Sequence, residues 1–256
     1  MQNNTFSALF IGQNLVKLSS VASTNNYLKD LVSNSGPLAE GTVIMADHQL
    51  AGKGQLQNVW ESEAGKNLTI SILLKPTFLS IGQQFELNKA VSLALLDVLS
   101  PLLGSHVSIK WPNDILVDDK KIAGILIENS VQGSRWKQAV VGIGLNVNQT
   151  QFSPNLTRAT SIKNVLQTEY NLNSLLADLC VALERRYLQV RAQKFADLHR
   201  DYLQHLFKFG EQSKFRVGDE VIEAEISGVS LTGLLELNTS KGTRTFGFKE
   251  IAFCFD

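Results

Sequence analysis

The chain has 256 residues, 44% of them hydrophobic and 19% charged, which suits an ordinary globular protein able to bury a sizeable core. Lys+Arg and Asp+Glu both number 24, so no global basic field exists to draw in nucleic acid or a membrane surface. Two distant cysteines, no cationic-then-apolar opening and no run of about twenty apolar residues argue against a disulfide framework, a secretory signal and a bilayer span, and for a reducing cytoplasm.

The first helix signal is Ser23-Thr24, a hydroxyl pair at an N-cap, followed by Asn25-Asn26-Tyr27-Leu28-Lys29-Asp30-Leu31. Thr42–Ala46 predicts a buried strand, and a polar, glycine-bearing stretch follows over 47–66. Asn67–Leu74 starts with the polar/apolar alternation of a strand with one face on a core. Val91, Leu95, Leu99 and Leu102 recur at helical spacing and predict an amphipathic helix over 83–103. Strand signals follow at Val107–Trp111, Ile115–Val117 and Ile122–Ile127, the last two joined as a hairpin through Asp118-Asp119-Lys120-Lys121. Ala139–Val147 predicts another strand. Asn173 to Phe207 predicts a helical region with Leu176, Leu179, Leu183 and Tyr187 on one face and Cys180 as a small core residue. Near Gly210 the pattern changes. Short alternating runs at Val221–Ile226, Leu234–Leu237, Thr243–Phe248 and Ile251–Phe255, punctuated by glycines, predict a small β barrel or sandwich after an α/β domain, with the division placed at 1–209 and 210–256.

Four segments carry more chemistry than a scaffold needs. Gln49-Leu50-Ala51-Gly52-Lys53-Gly54-Gln55 puts two glycines around a lysine, letting backbone N–H groups approach an anion; read alone, it also fits a glycine turn with a solvated lysine. Lys110-Trp111-Pro112-Asn113-Asp114 sets polar side chains beside a ring that could stack on another, and equally fits a strand closed by an Asx turn. Lys121-Ile122-Ala123-Gly124-Ile125 starts an apolar strand with a lysine that could hold a carboxylate and a phosphate together, or simply sit at a hairpin surface. Val141-Gly142-Ile143-Gly144-Leu145-Asn146 places two glycines in a strand, which suggests close packing against it or a bulge. His48, His106, His199 and His205 are scattered, and the last two are expected to be solvated. No triad, His-rich metal set or paired-carboxylate spacing appears.

Taken in order, these segments resemble the biotin–protein ligase family. The resemblance rests on Ser23-Thr24-Asn25, the loop from Gly52 to Trp60, Lys-Trp-Pro-Asn-Asp, Lys-x-Ala-Gly-Ile and Gly-x-Gly-x-Asn, and covers about residues 15–150. It implies an α+β fold: a mixed sheet flanked by helices, akin to class II aminoacyl-tRNA synthetase cores, with a small C-terminal SH3-like barrel. It also implies two steps, formation of biotinyl-5′-AMP from biotin and Mg-ATP, then transfer to a lysine of the biotin carboxyl carrier domain of a biotin-dependent carboxylase. By the resemblance, Ser23, Thr24, Asn25, Gln49, Gly52, Lys53, Gly54, Lys121 and Gly124 bind biotin. Lys53, Gly54, Gln55, Trp60, Trp111, Asn113, Lys121 and Asn146 hold ATP or the adenylate. Lys121 and Asp114 are catalytic, with Asp114 a candidate Mg²⁺ ligand. The loop departs from the family pattern: Lys53 stands alone where relatives carry two or three arginines, and Leu56-Gln57 replaces a glycine-containing pair. The helix-turn-helix segment of repressor-type ligases is not seen, so no DNA partner is expected, nor a membrane one, and the chain is expected to be a monomer or weak homodimer. A lipoate–protein ligase of the same fold and a non-catalytic biotin or nucleotide sensor are the rival readings.

Overall fold

The computed structural model describes residues 7–55, 58–133 and 135–255. Its largest element is a seven-stranded sheet built from β1 (Leu15–Val21), β2 (Val43–Gln49), β3 (Leu68–Leu74), β4 (Val107–Lys110), β5 (Asp114–Val117), β6 (Lys120–Gln132) and β7 (Arg135–Leu145). The strand order is β1-β2-β3-β7-β6-β5-β4; β1 and β2 are parallel, joined by helix α1 (Thr24–Asn34), and the other neighbours are antiparallel. The sheet is therefore mixed, as a crossover connection at one edge and hairpins elsewhere require.

Side chains alternate across these strands. Leu68, Ile70, Ile72 and Leu74 of β3 and Val141, Ile143 and Leu145 of β7 enter the main core, which is closed by α2 (Gln84–Leu103), α4 (Leu172–Arg191) and α5 (Phe195–Gln204). On the opposite face α1 lays Leu28 against Ile44, Leu73 and Val140 at the β1 side. The stretch Ile81–His106 is long and apolar enough to cross a membrane, but 67% of its most apolar window is buried, because it is the central core helix. A short helix α3 (Ile162–Leu166) begins at Ser161, whose hydroxyl accepts from the Asn164 N–H as an N-cap.

The second sheet is antiparallel, with β8 (Gln212–Val217), β9 (Glu220–Val229), β10 (Leu235–Thr239), β11 (Gly242–Phe246) and β12 (Ala252–Phe253) in the order β11-β10-β9-β8-β12. It joins the first body through the Trp111 indole N–H, which donates to the Gly233 carbonyl at 2.9 Å, and through Phe209, just before the second sheet, which bridges to Ile226 of β9.

Three expectations change in three dimensions. The helical region over 173–207 is two helices, broken where Gln193 takes a left-handed φ of 55°. The strand β1 has no predicted counterpart, since its mixed polar and apolar residues lie half-exposed at the sheet edge. His199 is half-buried and only partly solvated: its Nδ1 lies 3.5 Å from the buried Lys89 Nζ, and burial together with that charge pushes its pKa down. Lys89 is itself paired with the Glu86 carboxylate at 2.8 Å inside the core. Cys180 is fully buried, and burial followed by the charge of Glu184 raises its thiol to about 12, so it is inert packing.

Candidate active site

The face of the sheet away from the main core carries a cavity of about 240 Å³. At one end stands the start of α1. Ser23, the N-cap, has extended backbone (φ −155°), which turns the chain from β1 so that Thr24 and Asn25 open the helix against the sheet. All three are buried. Gln49, the last residue of β2, accepts through Oε1 from the Thr24 backbone N–H (2.8 Å) and the Thr24 hydroxyl (3.0 Å). From β3, the Ser71 hydroxyl donates to Asn25 Oδ1 at 2.5 Å and lies 2.8 Å from Thr24 Oγ1. The Asn25 amide nitrogen donates to Glu128 Oε2 on β6 at 2.8 Å, and Lys29 Nζ meets the other carboxylate oxygen at 2.5 Å. Burial raises the Glu128 pKa, but hydrogen bonds from Lys29 and Asn25 and the charges of Lys29 and Lys53 outweigh it and hold the carboxyl below the usual range.

The floor is made of glycine. Gly124 on β6 and Gly144 on β7 face each other in register. A Cβ on Gly144 would lie 2.2 Å from the Trp60 indole, and one on Gly142 would lie 2.4 Å from Asn25 Oδ1. No other residue type leaves room for these two side chains to lie on the sheet. Trp60 thus lies across the glycine pair, its indole N–H buried without a partner.

At the far end, Asp114 opens β5. Its Oδ1 receives Lys121 Nζ at 2.6 Å and its Oδ2 receives Lys110 Nζ at 3.2 Å. The Lys121 backbone is clamped on both sides, its N–H donating to the Arg158 carbonyl (2.6 Å) and its carbonyl accepting from Thr160 (2.9 Å). Lys121 Nζ also sits 5.6 Å from the Trp60 ring centroid. Asn113 precedes it in the turn and donates to the Ile125 carbonyl at 2.7 Å.

The glycine-rich loop closes one wall as a narrow hairpin. Lys53 bridges Val59, Gly54 N–H donates to the Asn58 carbonyl (2.7 Å) and Trp60 N–H to the Gly52 carbonyl (3.0 Å). Lys53 Nζ donates to Asn26 Oδ1 at 3.1 Å, tying the loop to α1. Gln55 lines the cavity with its Oε1 buried and unpaired. Leu56 and Gln57 lie outside the described residues.

Of the residues expected from sequence, Ser23, Thr24, Asn25, Gln49, Lys53, Gly54, Gln55, Trp60, Asn113, Asp114, Lys121 and Gly124 all line this cavity. Gly52 lies just behind it, where the two arms of the hairpin cross. Trp111 is a correction. Along β4 the side chains of Val107 and Ile109 point to the core, Lys110 points to the cavity, and Trp111 turns back into the core with 3% exposure; Pro112 takes the wall instead. The peptide between Trp111 and Pro112 is cis. Asn146 is also off the wall: its amide nitrogen donates to the Thr160 carbonyl at 3.0 Å, anchoring the segment that clamps Lys121, while its Oδ1 is buried without a partner. Asp114 carries one lysine on each of its oxygens, and no group of three His, Cys, Asp or Glu residues converges beside it among the described residues. Ser71, Lys110, Glu128 and Phe248 were missed. Ser71 had a signal, as a polar residue alternating within a wholly buried strand; Phe248, from the C-terminal part, had none.

Residues 18–146, half of the chain, match the family described as the biotin/lipoate A/B protein ligase family. The bifunctional ligase/repressor BirA of Bacillus spizizenii is 28% identical over 237 residues, covering 91% of this chain and 72% of its own length. The biotin--[acetyl-CoA-carboxylase] ligase of Paracoccus denitrificans is 28% identical over 216 residues, covering 82% of this chain and 89% of its own. Among solved structures, the biotin protein ligase of Aquifex aeolicus in complex with biotin and ATP superposes with a TM-score of 0.80 at 25% identity, over 95% of this chain and 100% of that one. The sheet, the glycine floor and the lysine–aspartate pair are thus read in a known frame: the chain belongs to the biotin/lipoate A/B protein ligase family.

Proposed function

We propose that this protein is a biotin–protein ligase that forms biotinyl-5′-AMP from biotin and ATP and passes the biotinyl group to a lysine of a biotin carboxyl carrier domain. The observation that carries this reading is one cavity with two unlike ends: buried hydroxyl and amide groups of Thr24, Asn25 and Gln49, backed by the Ser71 hydroxyl, at one, and the Lys121–Asp114 pair at the other. A ureido ring carries N–H donors and a carbonyl acceptor that the first end can satisfy. A dithiolane offers none, so the same groups would lose their water without return. The names of the ligase relatives and the bound biotin and ATP of the Aquifex structure support the same choice.

In the first step a biotin carboxylate oxygen attacks the α-phosphorus of ATP, the bond to the β-phosphate oxygen breaks, and pyrophosphate leaves. Lys121, clamped through its backbone, places a cation where negative charge gathers on the reacting phosphoryl group. Lys53 and Gln55 on the hairpin and Trp60 above the glycine floor would hold the nucleotide. In the second step the carrier's lysine amine attacks the acyl carbon, AMP leaves, and the amine gives up a proton. Asp114, beside Lys121, orients that amine. Mg²⁺ would enter with the triphosphate, since the protein supplies no dedicated cage among its described residues.

We read the main body, over 1–209, as a class II synthetase-like catalytic domain and 210–256 as an SH3-like module; the change of sheet after Gly210 supports that division. The test is to incubate the purified protein with Mg-ATP and either biotin or lipoate and to measure pyrophosphate release and acyl-AMP. A biotin-only signal is expected. A lipoate-only signal overturns the substrate, and silence with both overturns the enzymatic reading.

A further inference from the structure

Asn25 faces partners of opposite character, and its Nδ2 also lies 3.4 Å from the Leu126 carbonyl, a longer contact to a further acceptor. Its Nδ2 points at the Glu128 carboxylate (2.8 Å), which can only accept, and its Oδ1 receives the Ser71 hydroxyl (2.5 Å). A flipped amide would set its oxygen against a carboxylate oxygen. Glu128 is fixed in turn by Lys29 at 2.5 Å, which sits one helical turn after Asn25 on α1, so helix and strand are tied by the same carboxylate. Gly142 leaves its Cβ space to Asn25 Oδ1. That oxygen has a second lone pair, and Ser71 uses one.

We propose that Glu128 is a positioning residue: with Lys29 behind it, it fixes the orientation of the Asn25 amide so that Oδ1 is presented to a ligand N–H in the cavity. The proposal rests on the biotin reading, in which that N–H belongs to the ureido ring. Glu128 touches no reacting atom. Its loss weakens recognition of biotin and leaves chemistry at the Lys121 end alone.

The experiment compares wild type, Glu128→Ala, Glu128→Gln and Lys29→Met. It measures biotin Kd by titration calorimetry without ATP, KM for biotin and kcat for adenylate formation, with thermal melting as a fold control. Glu128→Ala is expected to raise Kd and KM about tenfold, the scale of a lost hydrogen bond to a charged group, with kcat within about twofold. Glu128→Gln keeps an acceptor for Asn25 and is expected to recover most of the affinity, and Lys29→Met to lose about threefold. An unchanged Kd in a folded Glu128→Ala, a fall in kcat at unchanged KM, or failure of Gln to rescue overturns the positioning role while leaving the ligase reading intact. Wild-type protein that binds no biotin overturns both.

Discussion

The two faces of the seven-stranded sheet are made by the same strands and differ by one residue in register. On β7, Val141, Ile143 and Leu145 fill the core beneath α2, while Gly142 and Gly144 between them form the floor of the cavity. On β3, Ile70 and Ile72 are core and Ser71 reaches the start of α1. One face is filled to exclusion and holds the fold. The other is emptied, by glycine, or made polar, so that a ligand and its orienting groups can lie directly on the backbone. Alternation lets adjacent residues of one strand carry opposite tasks, and it predicts that substitutions one position apart separate stability from activity.

The largest expected effect is on the cavity face. Lys121→Ala should slow adenylate formation by about 10²–10³-fold, because it removes a preorganised charge from the reacting phosphoryl group, while the melting temperature stays near wild type. A folded variant with near-normal pyrophosphate release would remove Lys121 from the mechanism. On the core face, Ile72→Ala should cost about 2–5 kcal/mol in denaturant unfolding, as a fully buried side chain leaves a cavity, and should spare KM and kcat below its transition. Losing activity before stability there would mean the two faces are not independent.

Gly144→Ala sharpens the contrast. It adds only a methyl group, yet that carbon would lie 2.2 Å from Trp60, so the ring must leave the floor. We expect about 1–3 kcal/mol of strain and a larger proportional loss in ATP affinity than in biotin affinity. Equal losses for both ligands, measured by calorimetry, would show that Trp60 does not discriminate between the two ends.

The smallest effect belongs to the helical layer. Asp97 on α2 faces Arg186 and Arg185 on α4; burial raises its pKa, but those two arginines lower it further, to a net value below the ordinary carboxylate range. A depressed folded pKa contributes stability above the unfolded value near 4 and loses it as pH falls through the folded one. Asp97→Asn should therefore lower stability by about 1–3 kcal/mol at neutral pH and flatten its fall below about pH 4, leaving the pH profile of activity unmoved. An acid transition as steep in the variant as in wild type would assign that loss to other carboxylates.

Much of this organisation was legible in the residues themselves. The strand hydrophobic runs, the hairpin at Asp118-Asp119, the change of pattern near Gly210 and the ordered motifs from Ser23 to Gly144 are local signals, set by side-chain periodicity and by the few residue types that tolerate close backbone approach. Trp111 shows the limit of motif reading: its neighbours carry the cavity chemistry, but strand alternation turns the indole into the core, where its N–H meets Gly233, 122 residues later. Tertiary structure alone decided what had no local signal. The reach of Glu128 across to Asn25 and Lys29 and the arrival of Phe248 at the cavity mouth join residues far apart in the chain and on different elements. Charges and amides name no partner in sequence, because a carboxylate on an exposed hairpin and one that fixes a binding amide are written with the same letter; only packing says what lies across from it.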